Sequence, residues 1–339
     1  MVVKFFLRNG KKRDLNAVTS FYIDIIREAL TRKGHFVQTV FSLSQINNGD
    51  TVFTTNLGMW AKVFFLKRHC TLLYWYQGIA PEEILLEQRN TPKAFLATFL
   101  ERISLKYNTI NFVVSDRMFE HFNNKYQAGL DLDNTFVMPC FNETLKQEAI
   151  RIPNRYNNPS FVYAGGLSEW QCISEMLDLF QSIQKDIPNA RFTILTGEVE
   201  IATKMAEPYH LNNISFGYKT GQELEKALQQ HKYGVLLRKD NLINSVATPT
   251  KMNTYLANGL IPIFTPAVDS FEKNINLGSA TIKGDISTSI NDIKEQIINF
   301  ENSSFDLSEF SNSINGIFRF YYNRDYYIEK MASFLEKRL

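Results

Sequence analysis

The 339-residue chain carries 44% hydrophobic and 21% charged residues and a formal net charge of +2. That length exceeds one ordinary core and suits two domains. The composition excludes a disordered chain, and the near-neutral balance makes no demand for a polyanion such as nucleic acid.

The elements read in chain order as an alternation of short apolar runs and amphipathic segments. "VVKFFL" (Val2–Leu7) is a first strand. "NAVTSFYIDIIREALTRKG" then sets Val18, Phe21, Ile25, Ile26 and Leu30 at helical spacing, with Gly34 as the stop. "HFVQTV", "TVFT", "TLLYWY" and "INFVVS" follow as strands, with a helix expected over Pro92–Lys106. The polar stretch Met138–Ser160 holds Pro139, Pro153 and Pro159 and has no strong period, so it reads as a linker. The alternation then restarts. "FVYAG", "RFTILTG", "NISFG", "YGVLLR" and "LIPIF" are strands; "CISEMLDLFQSIQ", "GQELEKALQQH" and "TPTKMNTYLANG" are helices. Two further helical segments, near Asn291–Asn302 and Tyr321–Leu339, close the chain. The fold class expected is α/β, with two doubly wound parallel sheets. In such sheets ligands bind beyond the carboxyl ends of the strands.

Three cysteines, Cys70, Cys140 and Cys172, stand far apart with no metal-ligand spacing and no disulfide framework, which points to a reducing cytosol. "MVVKFFLRNG" turns polar too quickly for a signal peptide. No apolar run approaches the roughly 20 residues that a bilayer span requires.

Two places carry candidate chemistry. In "ATPTKMNTYLANGLIPIF" (Ala247–Phe264), Thr248 suits an N-cap, Pro249 the first helical position and Gly259 the C′ position. Lys251 then falls in the first turn, where the helix dipole favours negative charge. A bound phosphate would reverse that preference, with free N–H groups and the Thr250 hydroxyl beside it. Arg238, ending the preceding strand, would add a second cation. An ordinary capped helix with a surface lysine fits the same residues. The second place is "FVYAGGLSEW", where Gly165–Gly166 directly follow a strand and let backbone approach a ligand. A tight turn with no ligand also fits.

Other candidates carry less. "DLD" (Asp131–Asp133) imitates a metal-binding Asp-x-Asp but follows "QAGL" and reads as a solvated loop. The five histidines are scattered, with none paired at metal spacing, so no metal site is expected. Ser115-Asp116 suits a ligand contact or a helix N-cap. "WAKVFFLKRH" and "KAFLATFLERISLK" mix aromatics with lysine and arginine; they suit an anionic membrane surface, or helices packed on a sheet. Lys11, Lys12 and Arg13 suit an acceptor phosphate, or a solvated loop.

The segments Phe161–Ile183, Asn213–Leu228 and Tyr233–Phe264 resemble the donor-binding half of GT-B glycosyltransferases of family 4, the retaining group 1 enzymes. "GHFVQTVFS", "YWYQGIAPEE" and "FVMPCFNE" resemble segments of a bacterial polysaccharide-building subset. The resemblance covers most of the chain in order; its strongest motif is Pro249-Thr250-Lys251 with Tyr255-Leu256-Ala257 and Gly259. It implies two Rossmann-like domains, residues 1–145 for the acceptor and 146–318 for the nucleotide sugar, with residues 319–339 crossing back to the first. It implies that Gly165 and Gly166 approach the diphosphate, that Arg238 and Lys251 neutralise it, and that Tyr218 lies against the base. Thr250 and Thr254 would complete the donor contacts, and Gly10, Arg13 and Gln77 would serve the sugar or acceptor. Val246 and Thr254 occupy the places of two glutamates usual in the family. "EWQ" (Glu169–Gln171) stands where a lysine is usual, and Gln77 where a histidine is. The function implied is transfer of a hexose, with retention and without a metal or other cofactor, from a UDP-sugar to a surface polysaccharide or lipid-linked glycan. The implied setting is the cytoplasm, against the inner face of the cell membrane, with no nucleic-acid partner. A catalytically weak homologue acting as a binding or scaffold subunit, and a sugar-nucleotide epimerase, are the alternatives.

Overall fold

The computed structural model describes residues 1–7 and 17–339. Gly10, Lys11, Lys12 and Arg13 lie outside the described residues. The chain divides into two compact units: Met1–Asn142 with Val246–Thr248 and Asn323–Leu339, and Glu143–Ser245 with Pro249–Tyr322.

The first unit is built on six strands: β1 (Val2–Phe6), β2 (Phe36–Val40), β3 (Thr51–Thr54), β4 (Thr71–Trp75), β5 (Ile110–Val113) and β6 (Thr135–Val137). They run in the order β2-β1-β3-β4-β5-β6, and every pair is parallel. Parallel neighbours need crossovers, so helices cover both faces and the strands are short apolar runs; β3 and β5 are buried at every residue. Tyr22 stacks on Trp75 with ring centroids 3.7 Å apart, and Trp60 Nε1 donates to Asn108 Oδ1 at 2.7 Å inside the core. The last helix, Arg324–Glu336, buries Tyr327, Ile328, Met331 and Leu335 and packs on helix Ala17–Arg32. Arg324 pairs with Glu28, and Lys33 with Glu336.

The second unit repeats the plan with β7 (Ser160–Ala164), β8 (Arg191–Leu195), β9 (Ile214–Gly217), β10 (Tyr233–Leu236), β11 (Ile261–Phe264) and β12 (Ile282–Lys283). The order is β12-β11-β10-β7-β8-β9, again all parallel. The chain winds from β7 through β8 to β9, then returns to place β10 on β7's other side. The topological switch point therefore lies between β7 and β10. Phe161 and Tyr233 stack across that pair at 4.8 Å.

Three local expectations are corrected. The helix expected over "TPTKMNTYLANG" spans only Lys251–Ala257, and a short helix, Leu242–Val246, separates it from β10. Thr248 is not its N-cap, because the Thr248 hydroxyl is engaged by the N–H of Cys140 at 3.0 Å; Thr250 takes the cap position, without a side-chain bond. The final helix starts at Arg324, capped by Asn323, and a separate helix, Leu307–Phe320, precedes it. Ser115 is an N-cap: its hydroxyl accepts from Met118 N at 3.0 Å and donates to Val246 O at 2.6 Å. Asp131 Oδ1 accepts the N–H groups of Asp133 and Asn134, so that carboxylate closes a turn.

Candidate functional site

The switch point of the second unit gathers the expected donor residues. β7 delivers Gly165 and Gly166 at its carboxyl end, and β10 delivers Arg238 one residue beyond Leu237. Helix Lys251–Ala257 packs on β10 and β11. Tyr255 fixes its depth. The ring lies where Gly234 has no side chain: a Cβ there would meet Tyr255 Cδ2 at 2.5 Å. The Tyr255 hydroxyl accepts from Ala164 N at 3.1 Å and donates to Val235 O at 3.3 Å. One buried phenol thus ties the helix to the ends of both strands that flank the switch point.

Held this way, Lys251 reaches back to the glycine turn. Its Nζ donates to Gln171 Oε1 at 2.9 Å and lies 5.3 Å from the centroid of the Tyr163 ring. Gly165 has φ +152, and a Cβ on it would sit 2.4 Å from Lys251 Cε and 2.7 Å from Nζ. That backbone favours glycine, and a Cβ there would push the Lys251 amine out of its place. The Tyr163 hydroxyl lies within hydrogen-bond distance of Gly166 O and Gln171 Oε1, so its one proton firms this turn.

Arg238 is only 4% exposed. Its Nη1 donates to Trp170 O at 3.0 Å and Leu237 O at 3.2 Å. Its backbone is pinned by Thr265, whose hydroxyl accepts from Arg238 N and donates to Arg238 O. Among the described residues, neither Arg238 nor Lys251 joins an ion pair. Burial, and then the Arg238 charge, bring Lys251 down to about 7. Burial also lowers Arg238. Two desolvated cations with no carboxylate favour an anion from outside the chain.

Tyr218 follows β9 and is 66% exposed. Its ring edge lies over Gly197, which follows β8; a Cβ there would sit 3.6 Å from Tyr218 Cε2. It presents a free aromatic face at the carboxyl ends of the strands. Thr250 and Thr254 are both half-buried. Val246, in one of the glutamate places, is buried in the first unit.

Gln77 belongs to the first unit, just past the carboxyl end of β4. It is exposed, and Thr19 Oγ1 donates to its Oε1 at 3.4 Å. It lines a cavity of 440 Å³ with Asn56, Tyr74, Glu83, Leu96 and Glu101. Glu101 is 1% exposed; its Oε2 accepts from the Tyr126 hydroxyl at 2.6 Å, and burial raises its carboxyl to about 7.

No family model and no curated protein matches the sequence. Solved structures do match. Anabaena HepE in complex with UDP-glucose superimposes with TM-score 0.66 and 14% identity over 99% of this chain and 100% of HepE. An E. coli structure described as trehalose-6-phosphate bound with UDP-2-fluoro glucose gives TM-score 0.70 and 8% identity over the whole of both chains. The chain has the GT-B fold. A mutant of S. aureus TarM in complex with fondaparinux, alpha-GlcNAc-glycerol and UDP gives TM-score 0.62 and 14% identity over 84% of this chain. That match covers 55% of TarM, so this GT-B chain spans about half of TarM's length.

Two partners at the GT-B switch point were not assigned from sequence. Gln171 supplies the oxygen that holds Lys251, and Trp170 supplies the carbonyl that holds Arg238. Their replacement of the usual lysine was visible, but the 80-residue separation of Gln171 from Lys251 hid the pairing.

Proposed function

We propose that this chain is a retaining glycosyltransferase that moves a hexose from a nucleotide diphosphate sugar, with UDP as the nucleotide, to a surface or lipid-linked glycan. The observation that carries the reading is the buried Arg238 beside the half-buried Lys251, neither in an ion pair among the described residues, against a glycine turn with φ +152 at Gly165. A diphosphate is the ligand that this arrangement suits. As the sugar–phosphate bond breaks, negative charge grows on the departing oxygens, and cations already in place stabilise it without reorganisation. Gly165 and Gly166 would let the diphosphate approach the backbone, and Tyr218 offers a face for the base. Similar chains in complex with UDP, UDP-glucose or UDP-2-fluoro glucose favour UDP.

In this reading the leaving phosphate takes the acceptor's proton as the new bond forms on the face the phosphate leaves, which retains the anomeric configuration. The cation pair fills the role of a divalent ion, so turnover persists in a chelator. The acceptor belongs to the first unit, near Gln77. Exposed Phe65, Leu66, Leu85, Leu86, Phe95, Leu96 and Phe99 lie on helices Leu57–Leu66, Ala80–Gln88 and Thr91–Tyr107, with Lys62, Arg68 and Lys93 alongside. That surface suits the cytoplasmic face of an anionic membrane and a lipid-linked acceptor. Among the described residues no helix is long and apolar enough to cross a membrane.

The binding or scaffold reading draws on Val246 and Thr254, which replace two carboxylates. One titration separates the readings. Calorimetry with UDP, GDP and their glucose conjugates, on wild type and Lys251→Ala, is expected to give micromolar binding of the UDP forms that the variant loses. Product formation under turnover then distinguishes enzyme from scaffold. Absence of any nucleotide binding to wild type would overturn the proposal.

A further inference from the structure

The second unit holds a groove that the donor reading leaves unused. It encloses about 950 Å³ and runs along the face of β8 and β9 that carries Thr193, Leu195 and Ser215. Its walls include Ser160 and Arg191, the first residues of β7 and β8. Gly165 and Arg238 follow the opposite, carboxyl ends of β7 and β10.

The lining is built of two kinds of group. The floor is hydroxyl and amide: the Thr193 and Ser215 hydroxyls lie 3.0 Å apart, His231 Nε2 lies 2.9 Å from Thr193 Oγ1, and Asn154, Asn158 and Gln230 stand around them. A parallel sheet normally has both faces covered, yet here Ser215 is exposed and Thr193 half-exposed. The rim is cationic. Arg191, Lys219 and Lys226 line it, are exposed, and join no ion pair among the described residues. Arg155 adds a fourth charge from the interior, where it is held by the carbonyls of Ala149, Leu228, His231 and Asn258. Among the described residues, no aspartate or glutamate lines the groove.

We propose that this groove binds an acidic oligosaccharide. The volume suits a short glycan segment. The floor offers hydroxyl and amide partners for sugar hydroxyls, and the rim offers cations for sulfate, phosphate or carboxylate substituents. A single-stranded nucleic acid fits less well, because among the described residues no Phe, Tyr or Trp lines the groove to stack a base. The groove reaches Lys219, next to Tyr218, but it shares no lining residue with the donor contacts named above and does not depend on them.

The test uses fluorescence polarisation with three labelled probes: a sulfated tetrasaccharide cut from heparin, a neutral dextran fragment of equal length, and a thymidine oligonucleotide of matched charge. Three proteins are compared: wild type, Arg191→Ser/Lys226→Ser in the groove, and Lys330→Ser/Lys337→Ser in the first unit with the same change in charge. Saturable wild-type binding of the sulfated probe is expected, weakened at least about tenfold in the groove variant and unchanged in the other, with no binding of dextran. The site is overturned if the sulfated probe does not bind, if both variants lose affinity equally, or if the oligonucleotide binds the groove more tightly than the sugar. UDP titration of the groove variant keeps the two readings apart: its UDP affinity equals that of wild type, whatever that affinity is.

Discussion

Lys251 makes the donor reading quantitative through pH. In the free protein its amine is brought to about 7, chiefly by burial and next by the Arg238 charge. A diphosphate bound beside it supplies the missing counter-charge and returns it to the ordinary lysine range. Binding above pH 7 must therefore take up a proton. About half of the free Lys251 is charged at pH 7 and about 3% at pH 8.5, so affinity should fall roughly 16-fold between them, with nearly one proton taken up at the higher pH. UDP-glucose is the right titrant, because its diphosphate has no ionisation near neutral pH. Calorimetry in two buffers of different ionisation enthalpy reads affinity and proton uptake together, and Lys251→Met should bind weakly with no pH dependence across this range. Without ligand the sign is fixed as well. A lysine depressed in the folded state costs stability while it is charged, below pH 7, and that cost is relieved as pH rises from 7 toward 10.5. An affinity that stays constant from pH 7 to 8.5, with no difference between buffers, would refute the placement of the diphosphate at Lys251.

Gly165→Ala puts a methyl 2.4 Å from Lys251 Cε on a backbone of φ +152, so it should weaken UDP-glucose binding about tenfold or more and lower stability by about 1–3 kcal/mol, read by calorimetry and urea melts. Tyr255→Phe removes the hydroxyl shared by Ala164 N and Val235 O, so urea denaturation should show a loss of about 1–3 kcal/mol. Glu101, raised to about 7 by burial, should make the first unit lose stability as pH rises from about 4.5 to 7, by up to about 3 kcal/mol. Glu101→Gln should abolish that part of the slope; equal slopes in variant and wild type, in urea melts at pH 5 and 8, would contradict it.

Ten of the twelve strands were readable because a buried parallel strand is a short apolar run bounded by polar residues. The two that were not, β6 and β12, are three and two residues long and lie at sheet edges. Helix Leu307–Phe320 buries Phe310, Ile314 and Ile317 at helical spacing, yet its serines, asparagines and Gly316 weaken the propensity signal. Lys251, Arg238 and the glycine turn stood out because each breaks a local rule. What makes them one site is long-range. Gln171 meets Lys251 across 80 residues, and Tyr255 meets Ala164 across 91. The Thr248 cap failed for the same reason: a backbone N–H 108 residues away claims its hydroxyl.

The way this chain treats its other buried cations bears on whether the donor site is in use. Lys4 pairs with Asp50 at 2.7 Å and Lys232 with Glu301 at 2.8 Å. Arg155 spends its guanidinium on four carbonyls. Arg238 is buried to the same degree, yet among the described residues its guanidinium hydrogen-bonds only through Nη1, and its neighbour Lys251 has one neutral amide oxygen. Keeping a buried guanidinium without a carboxylate, beside an amine that burial leaves only about half charged at pH 7, costs stability. A subunit that only held other proteins would gain by replacing either residue, whereas a site that must receive a diphosphate needs both cations free of internal carboxylates. The two glutamates replaced by Val246 and Thr254 are what favours the scaffold reading, and this cation pair is what argues against it. The electrostatics therefore favour the donor-site proposal over the scaffold reading.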